Sequence, residues 1–552
     1  MTTKRMYGSL FGLFVTILGI LTLNSCTKNS VMKETALTTP GNPYLPLWEH
    51  IPDGEPYVFE DPDNPGNYRV YIYGSHDSMV SGYCGREQVV WSASVDSLTN
   101  WRYDGEIFSV SKNAKGEQLD SAGLADVLYA PDVTMVTGAD GKKTYYLYPN
   151  NQAGGRNGMV CKSDRPDGPF EVCNWSKENP NETDGVLRFD PAVFVDDDGK
   201  IYGYWGFERS YAAELDPETM ATVKPGTEIV EDMISGRNQP GRFKFFEASS
   251  IRKIKDKYVF IYSRFTEEGE FGLPTSNYTL AYAYGDNPLG PFTYGGTIID
   301  ARARDVNEQG DTIATATIDG NTHGSICEIN GQWYVFYHRQ TGPDEYARQA
   351  MVAPIEVKVE EGKGGKVEIS EGEYTSEGFS LEGLNPLERH SAGIACWYTG
   401  PKTAVHEWPN NTFFGSFVDR SYGTADNFKN PYDLKNNTNP VVNNTDGSIV
   451  GYKYFNFTGT KGKKDLALLL NLTPEGVDGK IEIMADNPWT SRGGKPLGSI
   501  ELKADMAQQP TELKAALPAL EKMEGKHAIF FKFSSDVKEK SLCTLHDFVF
   551  SY

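Results

Sequence analysis

Positive charge is scarce in this chain: 53 lysines and arginines stand against 75 aspartates and glutamates, a formal net charge of −22 over 552 residues. Nucleic acid and anionic membrane surfaces are bound by clustered lysine and arginine, so both are excluded as partners and a neutral substrate is expected. Cysteine is sparse as well, with seven in all, no C-x-x-C and no His/Cys cluster of zinc spacing, which excludes structural zinc. With Cys26 set aside, the others are Cys84, Cys161, Cys173, Cys327, Cys396 and Cys543. Cys161 with Cys173, or Cys396 with Cys543, are available as disulfides in an oxidising compartment, and scattered buried thiols are the alternative. The long apolar run, Leu10 to Leu23, lies near the N-terminus.

That run follows Lys4 and Arg5 and ends in Leu23-Asn24-Ser25-Cys26, the pattern of a signal peptide over residues 1–25, too short and too N-terminal for a membrane domain. The box before Cys26 resembles a bacterial lipoprotein cleavage site. Cys26 is therefore expected to carry the lipid, with residues 26–43 as a flexible tether. The expected location is the bacterial outer membrane, facing the periplasm or the cell surface, with the anchor as the only membrane contact.

What the chain has in quantity is aromatic strand. Five times a polar residue opens a segment that a tyrosine closes: Glu55 before Tyr73, Asp132 before Tyr148, Asp190 before Tyr204, Glu247 before Tyr262, and His323 before Tyr337. Asp140-Gly141, Asp198-Gly199 and Asn330-Gly331 fall between an apolar strand and the aromatic one, as hairpin turns do. Repeats of this length built from short strands predict propeller blades, here a five-bladed β-propeller over 44–370. A propeller gathers the starts of its innermost strands around one axis, so these carboxylates and the histidine are expected to share one mouth. The Glu-, Gly- and Ser-rich stretch that follows reads as a linker or surface strap over 371–390, and the alternating strands of 391–552 (GYKYFNF, DLALLLNL, KIEIMAD, HAIFFKF) predict a β-sandwich. The fold class is all-β.

Several segments carry a resemblance: YAPDV, SDRPDGPF, FDPAVFVDDDGKIYGYWG, FFEASSIRKIKDKYVFIYS, GDNPLGPF and THGSICEINGQWYVFYHR. Together they resemble glycoside hydrolase family 43, five-bladed propellers that remove arabinose, xylose or galactose units from plant polysaccharides. Residues from Ile394 onward resemble family 6 carbohydrate-binding modules through GYKYFNF and HDFVF. The absence of W-M-N-D-P-N-G disfavours a sucrose- or fructan-cleaving propeller.

Cleavage of a glycosidic bond needs a protonated carboxyl for the leaving oxygen and an ionised carboxylate on the other face of the sugar. A third carboxylate raises the acid's pKa by like-charge repulsion. The resemblance implies Glu247 as acid and Asp190 as the group that tunes and orients it, with inversion of configuration. For the base, members carry Asp-Pro at the start of the first blade. Here the matching pair is Glu55-Pro56 with Asp53 two residues earlier; Glu55 is the expected base and Asp53 the alternative.

The resemblance also implies that Arg348 contacts sugar hydroxyls and the base, and that His323 lies in the central channel near a calcium ion or a water cluster. No cofactor is required. Asp132 is either a site residue or a turn-former. Trp205, Phe207 and Tyr129 are candidates to stack on the sugar, or they fill blade interfaces. Trp397 and Trp489 are glycan platforms of the second domain, or that domain braces the propeller. The expected function is exo-acting α-L-arabinofuranosidase on plant or microbial polysaccharide, with β-xylosidase, β-galactosidase or galactofuranosidase as alternatives in the family. A non-catalytic glycan-binding lipoprotein is the rival class.

Overall fold

The computed structural model describes residues 37–38, 41–79, 82–119, 126–152, 154–420 and 439–552. The expected signal peptide, Cys26 and most of the 26–43 tether lie outside the described residues.

Each aromatic repeat strand pairs antiparallel with the strand just before it: Tyr68–Tyr73 with Glu55–Glu60, Lys143–Tyr148 with Asp132–Thr137, Ile201–Trp205 with Ala192–Val195, Lys257–Arg264 with Phe245–Ile254, and Gln332–Arg339 with Ser325–Ile329. The five earlier strands touch one another in succession, and the last returns to the first. They are the inner ring of a five-bladed propeller, whose blades we number I to V. Blade V has only three strands of its own. Its outer edge is completed by the N-terminal segment, where the Asn42 side chain donates to the Val352 carbonyl at 2.7 Å and accepts from the Val352 N–H at 3.1 Å, while Tyr44 N–H donates to the Ala350 carbonyl at 3.3 Å.

The repeat tyrosines latch blade to blade. A buried phenol needs a hydrogen-bond partner, and Tyr73, Tyr148 and Tyr204 find theirs on the following blade, donating to the carbonyls of Pro166 (2.6 Å), Met220 (3.0 Å) and Pro288 (2.8 Å). Pro166 and Pro288 belong to SDRPDGPF and GDNPLGPF, so these two motifs are acceptors for the neighbouring tyrosine. Of the three expected turns, only Asn330-Gly331 closes a two-residue hairpin, with Ile329 opposite Gln332. Asp140-Gly141 and Asp198-Gly199 sit inside longer loops closed by Gly138 N–H to Lys142 and Asp196 N–H to Lys200 bonds.

Deeper along the axis a polar chain crosses every blade. Arg252 of blade IV donates to the Ile326 carbonyl of blade V (3.0 Å) and to Glu55 of blade I (2.8 Å), and its guanidinium covers the Tyr57 ring at 4.6 Å. The Tyr57 hydroxyl donates to Asp132 of blade II at 2.6 Å, and Asp132 accepts the Val193 N–H of blade III at 2.6 Å.

The C-terminal region is a sandwich of two antiparallel sheets. One contains Ala467–Pro474, Thr511–Ala516 and Cys543–Ser551; the other contains Ile449–Asn456, Gly479–Ala485, Lys495–Leu502 and Lys526–Ser534. Leu468 and Leu470 of the first and Ile481, Ile483 and Phe531 of the second are fully buried, as facing inner layers require. Cys84, Cys161, Cys173, Cys327, Cys396 and Cys543 are free thiols.

The stretch expected as a linker or surface strap over 371–390 is a strap, buried from Tyr374 to Phe379. Tyr374, Ser376 and Phe379 are all inside, and Phe379 packs at 5.7 Å from Tyr44 and 5.2 Å from Tyr334. Polar composition concealed it because the buried run from Tyr374 to Phe379 includes Thr375, Ser376 and Glu377 beside its two aromatics. Beyond the strap, Arg339 of blade V donates to the carbonyls of Ala395 (2.7 Å) and Gly393 (2.5 Å), and one apolar core joins Val335 and Tyr337 to Tyr398 and Val450 of the sandwich.

Two outcomes are expected. Arg252→Met strips donors from Glu55 and from the buried Ile326 carbonyl, at about 1–3 kcal/mol for each orphaned group; an unchanged denaturant midpoint would show that the ring does not depend on Arg252. A chain ending at Ser380 removes the acceptors of Arg339 and one wall of the shared core, so it should lose cooperative thermal unfolding and soluble yield, and wild-type unfolding of that fragment would make the sandwich a dispensable appendage.

Candidate active site

At one mouth of the propeller, Asp53, Asp190 and Glu247 share a pocket of about 160 Å³ with Arg348, His323 and Tyr129. The three carboxylates come from blades I, III and IV, and local backbone strain aims them. Asp53 and Asp190 have left-handed backbones (φ 60° and 43°), and so does Ala248 (φ 68°), next to Glu247. Such conformations cost energy for residues other than glycine and gather at functional sites. Glu247 sits where the pairing of Phe245–Ile254 slips register on both sides; a bulge there turns the side chain out of the ladder.

Each carboxylate has its own surroundings. Asp53 accepts from Arg348 at 3.0 Å and from the Ser75 hydroxyl at 2.5 Å, and its N–H donates to His338 Nδ1 at 3.2 Å. Burial alone would raise its pKa; the Arg348 charge, followed by His338 and His323, outweighs this and holds it below the usual aspartate value. Asp190 accepts from Asn150 at 2.7 Å and from the Ala248 N–H at 3.1 Å. Burial and then repulsion from Asp53 lift it to about 7. Burial, then Asp190, then Asp53 drive Glu247 well above the ordinary glutamate range. The pocket thus pairs an ionised carboxylate with a carboxyl kept protonated, the division of labour that acid–base cleavage of an acetal needs.

Arg348 is fixed by two bonds from its guanidinium to Asp77 (2.9 and 2.8 Å) and one from its own N–H at 3.0 Å. His338 Nε2 meets Asn321 Oδ1 at 3.0 Å, and burial lowers its pKa to about 4. With the Asp53 N–H donating to Nδ1, the proton of this neutral ring belongs on Nε2.

Of the residues expected from sequence, Asp190, Glu247, Arg348, His323 and Tyr129 line the pocket. Glu55 does not. It stands on the first strand of blade I, pairs with Arg252 in the channel and is lifted to about 7 by burial; Asp53 occupies the mouth in its place. Asp132 is likewise a bridge between blades, and Trp205 lies in the interior stacked on Tyr211 at 5.7 Å. Phe207, 48% exposed, touches the pocket-lining Phe189 at 5.0 Å, and so belongs to the rim. Trp397 is buried core, whereas Trp489 lines a separate cleft of about 310 Å³ that carries no carboxylate.

No set of protein ligands is gathered for the metal expected beside His323. The ring's Nδ1 is 3.8 Å from Asp190, its Nε2 is buried with no hydrogen-bond partner, and among the described residues no group of three or more His, Cys, Asp or Glu side chains is placed to hold an ion. Calcium takes six to eight oxygens. Residues that sequence reasoning missed, Ser75, Asp77, Asn150 and His338, share one signal: each follows a repeat tyrosine by one to four positions, where the second strand of a blade reaches the mouth.

Residues 57–361 match Glycosyl hydrolases family 43. A xylosidase/arabinosidase from Thermoclostridium stercorarium is 33% identical over 91% of this chain and 98% of its own length. An arabinoxylan arabinofuranohydrolase from Bacillus subtilis (strain 168) is 25% identical over 85% and 86%. Among solved structures, a family 43 arabinoxylan arabinofuranohydrolase from Bacillus subtilis, in complex with cellotetraose, aligns at 22% identity over 92% of this chain and 97% of that one, with a TM-score of 0.42. The family match covers over half of the chain, and it falls on the propeller whose mouth holds an ionised and a protonated carboxyl: the chain belongs to glycosyl hydrolase family 43 and is a glycoside hydrolase.

Proposed function

We propose that the chain is an exo-acting, inverting α-L-arabinofuranosidase that strips single arabinofuranosyl units from a plant or microbial polysaccharide. The observation that carries the reading is the charge division in one small pocket: Asp53 is clamped in its ionised form by Arg348, and Glu247 is kept protonated by burial and by Asp190. The pocket is smaller than the usual range of about 300–1,000 Å³ for ligand sites, which suits one terminal sugar. The names of the relatives support arabinose as the sugar, and the name xylosidase/arabinosidase supports xylose as a second substrate.

In this reading Asp53 takes a proton from water as the water oxygen attacks the anomeric carbon. Glu247 gives its proton to the departing glycosidic oxygen. Asp190, held by Asn150 and the Ala248 N–H, keeps Glu247 protonated between turnovers. Arg348 orients Asp53 and prevents its protonation, and exchange with solvent resets both carboxyls.

Glu247→Gln should slow cleavage of natural arabinosides by about 10²–10⁴-fold while sparing an aryl arabinoside whose leaving group departs without a proton. The pH profile follows the same logic. Glu247 is raised, so its contribution is present below its pKa and lost as pH rises through it; wild-type turnover of natural substrate should decline on the alkaline side and that of the aryl substrate should not. Equal losses on both substrates would remove Glu247 from the acid role.

Asp53→Asn should abolish turnover of both substrate types, since attack by water is needed whatever the leaving group. Glu55→Gln should retain turnover and change mainly stability. Proton NMR of the wild-type reaction should show the anomer of opposite configuration forming first, and a first product of retained configuration would overturn the single displacement.

A further inference from the structure

The sandwich reaches the active-site mouth through one hairpin, Val405–Glu407 paired with Asn410–Thr412. It grips the propeller loop that leads into Arg348. Glu345 N–H donates to the Pro409 carbonyl at 3.1 Å, Asn411 N–H donates to the Pro343 carbonyl at 2.7 Å, and His406 Nε2 meets the Glu345 carboxylate at 2.9 Å. Glu345 also accepts from the Tyr83 hydroxyl. Tyr83 lines the pocket, and the Arg348 guanidinium lies 4.9 Å from its ring centre.

At the tip of this hairpin stands Trp408, 71% exposed. A lone exposed apolar residue is ordinary. This one is fixed at a defined place: its side chain lies beside the pocket-lining Tyr83, and the turn beneath it is pinned by the bonds from Glu345 and Asn411. The pocket takes one sugar, so the rest of a polymeric substrate must pass over the rim. A sugar ring presents an apolar face of C–H groups, which is what an indole face accepts. We infer that Trp408 is an aglycone-side platform, on which the main-chain sugar bearing the scissile branch, or its neighbour, stacks while the branch occupies the pocket. The accessory domain thereby supplies a specificity residue to the catalytic one. His406 contributes as a positioning residue, since Glu345 raises its pKa to about 9 and keeps the ion pair intact at neutral pH.

This rests on the arabinofuranosidase reading, and the test separates the two. The full chain and its Trp408→Ala and Trp408→Phe variants are assayed on 4-nitrophenyl α-L-arabinofuranoside and on an arabinosylated xylo-oligosaccharide, and xylohexaose binding is followed by calorimetry. Trp408→Ala should lower kcat/KM on the branched oligosaccharide by about tenfold, mainly through KM, and weaken xylohexaose binding, with a far smaller effect on the aryl substrate. Trp408→Phe should recover most of the loss. Equal losses on both substrates, or unchanged oligosaccharide kinetics and binding, would overturn the platform. Failure of the wild type to cleave either arabinoside, with xylohexaose binding still dependent on Trp408, would sink the arabinofuranosidase reading and leave the platform standing.

Discussion

The architecture depends on the hydrogen bonds that Arg252 makes in the channel. A propeller has no covalent closure, and its blades meet through modest side-chain faces around an axis that is polar here. A guanidinium with a fixed fork of donors suits such a place, because one group bonds blade V and blade I from blade IV. Tyr57 and Asp132 carry the chain of bonds on to blade III. The carboxylates at the mouth are set on three separate blades, so their mutual placement is only as firm as this ring. Charge is costly to bury without partners, and the cost is met here by partners on every side except Glu55 Oε1, which has none.

The same arrangement explains why the sequence misleads at Glu55. A carboxylate before proline at the start of the first repeat looks like the residue that meets substrate, and spacing alone supports it. The side chain, however, belongs to a strand that has already begun, and it points down the channel toward Arg252. Asp53 precedes the strand in a left-handed conformation that no pattern of apolar and polar residues announces. Asp190 and Glu247 were legible because each opens an aromatic repeat inside a segment that resembles the family's own. Trp205 and Phe207 show the converse limit: neighbours in the chain, one packs on Tyr211 inside blade III and the other lies on the rim. Composition has no means of separating them.

The five repeats, the all-β class and the sandwich were all readable, because strand alternation and aromatic periodicity are local. What was not readable is long-range. Arg348 with Asp77, and His338 with Asp53, join opposite ends of the propeller sequence, and the strap through Phe379 looks polar although Thr375, Ser376 and Glu377 are buried with it. The C-terminal region is tied to the propeller by the same kind of long-range contact, since Arg339 has its acceptors there.

Asn42 imitates a strand residue with its side chain, offering Val352 both an acceptor and a donor. The consequence is an order of assembly. Blades II to IV hold their own strands in sequence, blade I adds only Leu37–Thr38 at its outer edge, and all four can form as the chain emerges from the ribosome, N-terminal parts first. The segment around Asn42 and Tyr44, made before any of them, can pack early on blade I, where Tyr44 meets Trp101 at 4.9 Å, but its bonds to Val352 and Ala350 wait for the final strand of blade V. Ring closure is therefore a late event of high contact order, slow by the entropy of joining distant parts, and until it happens the outer edge of blade V stays open.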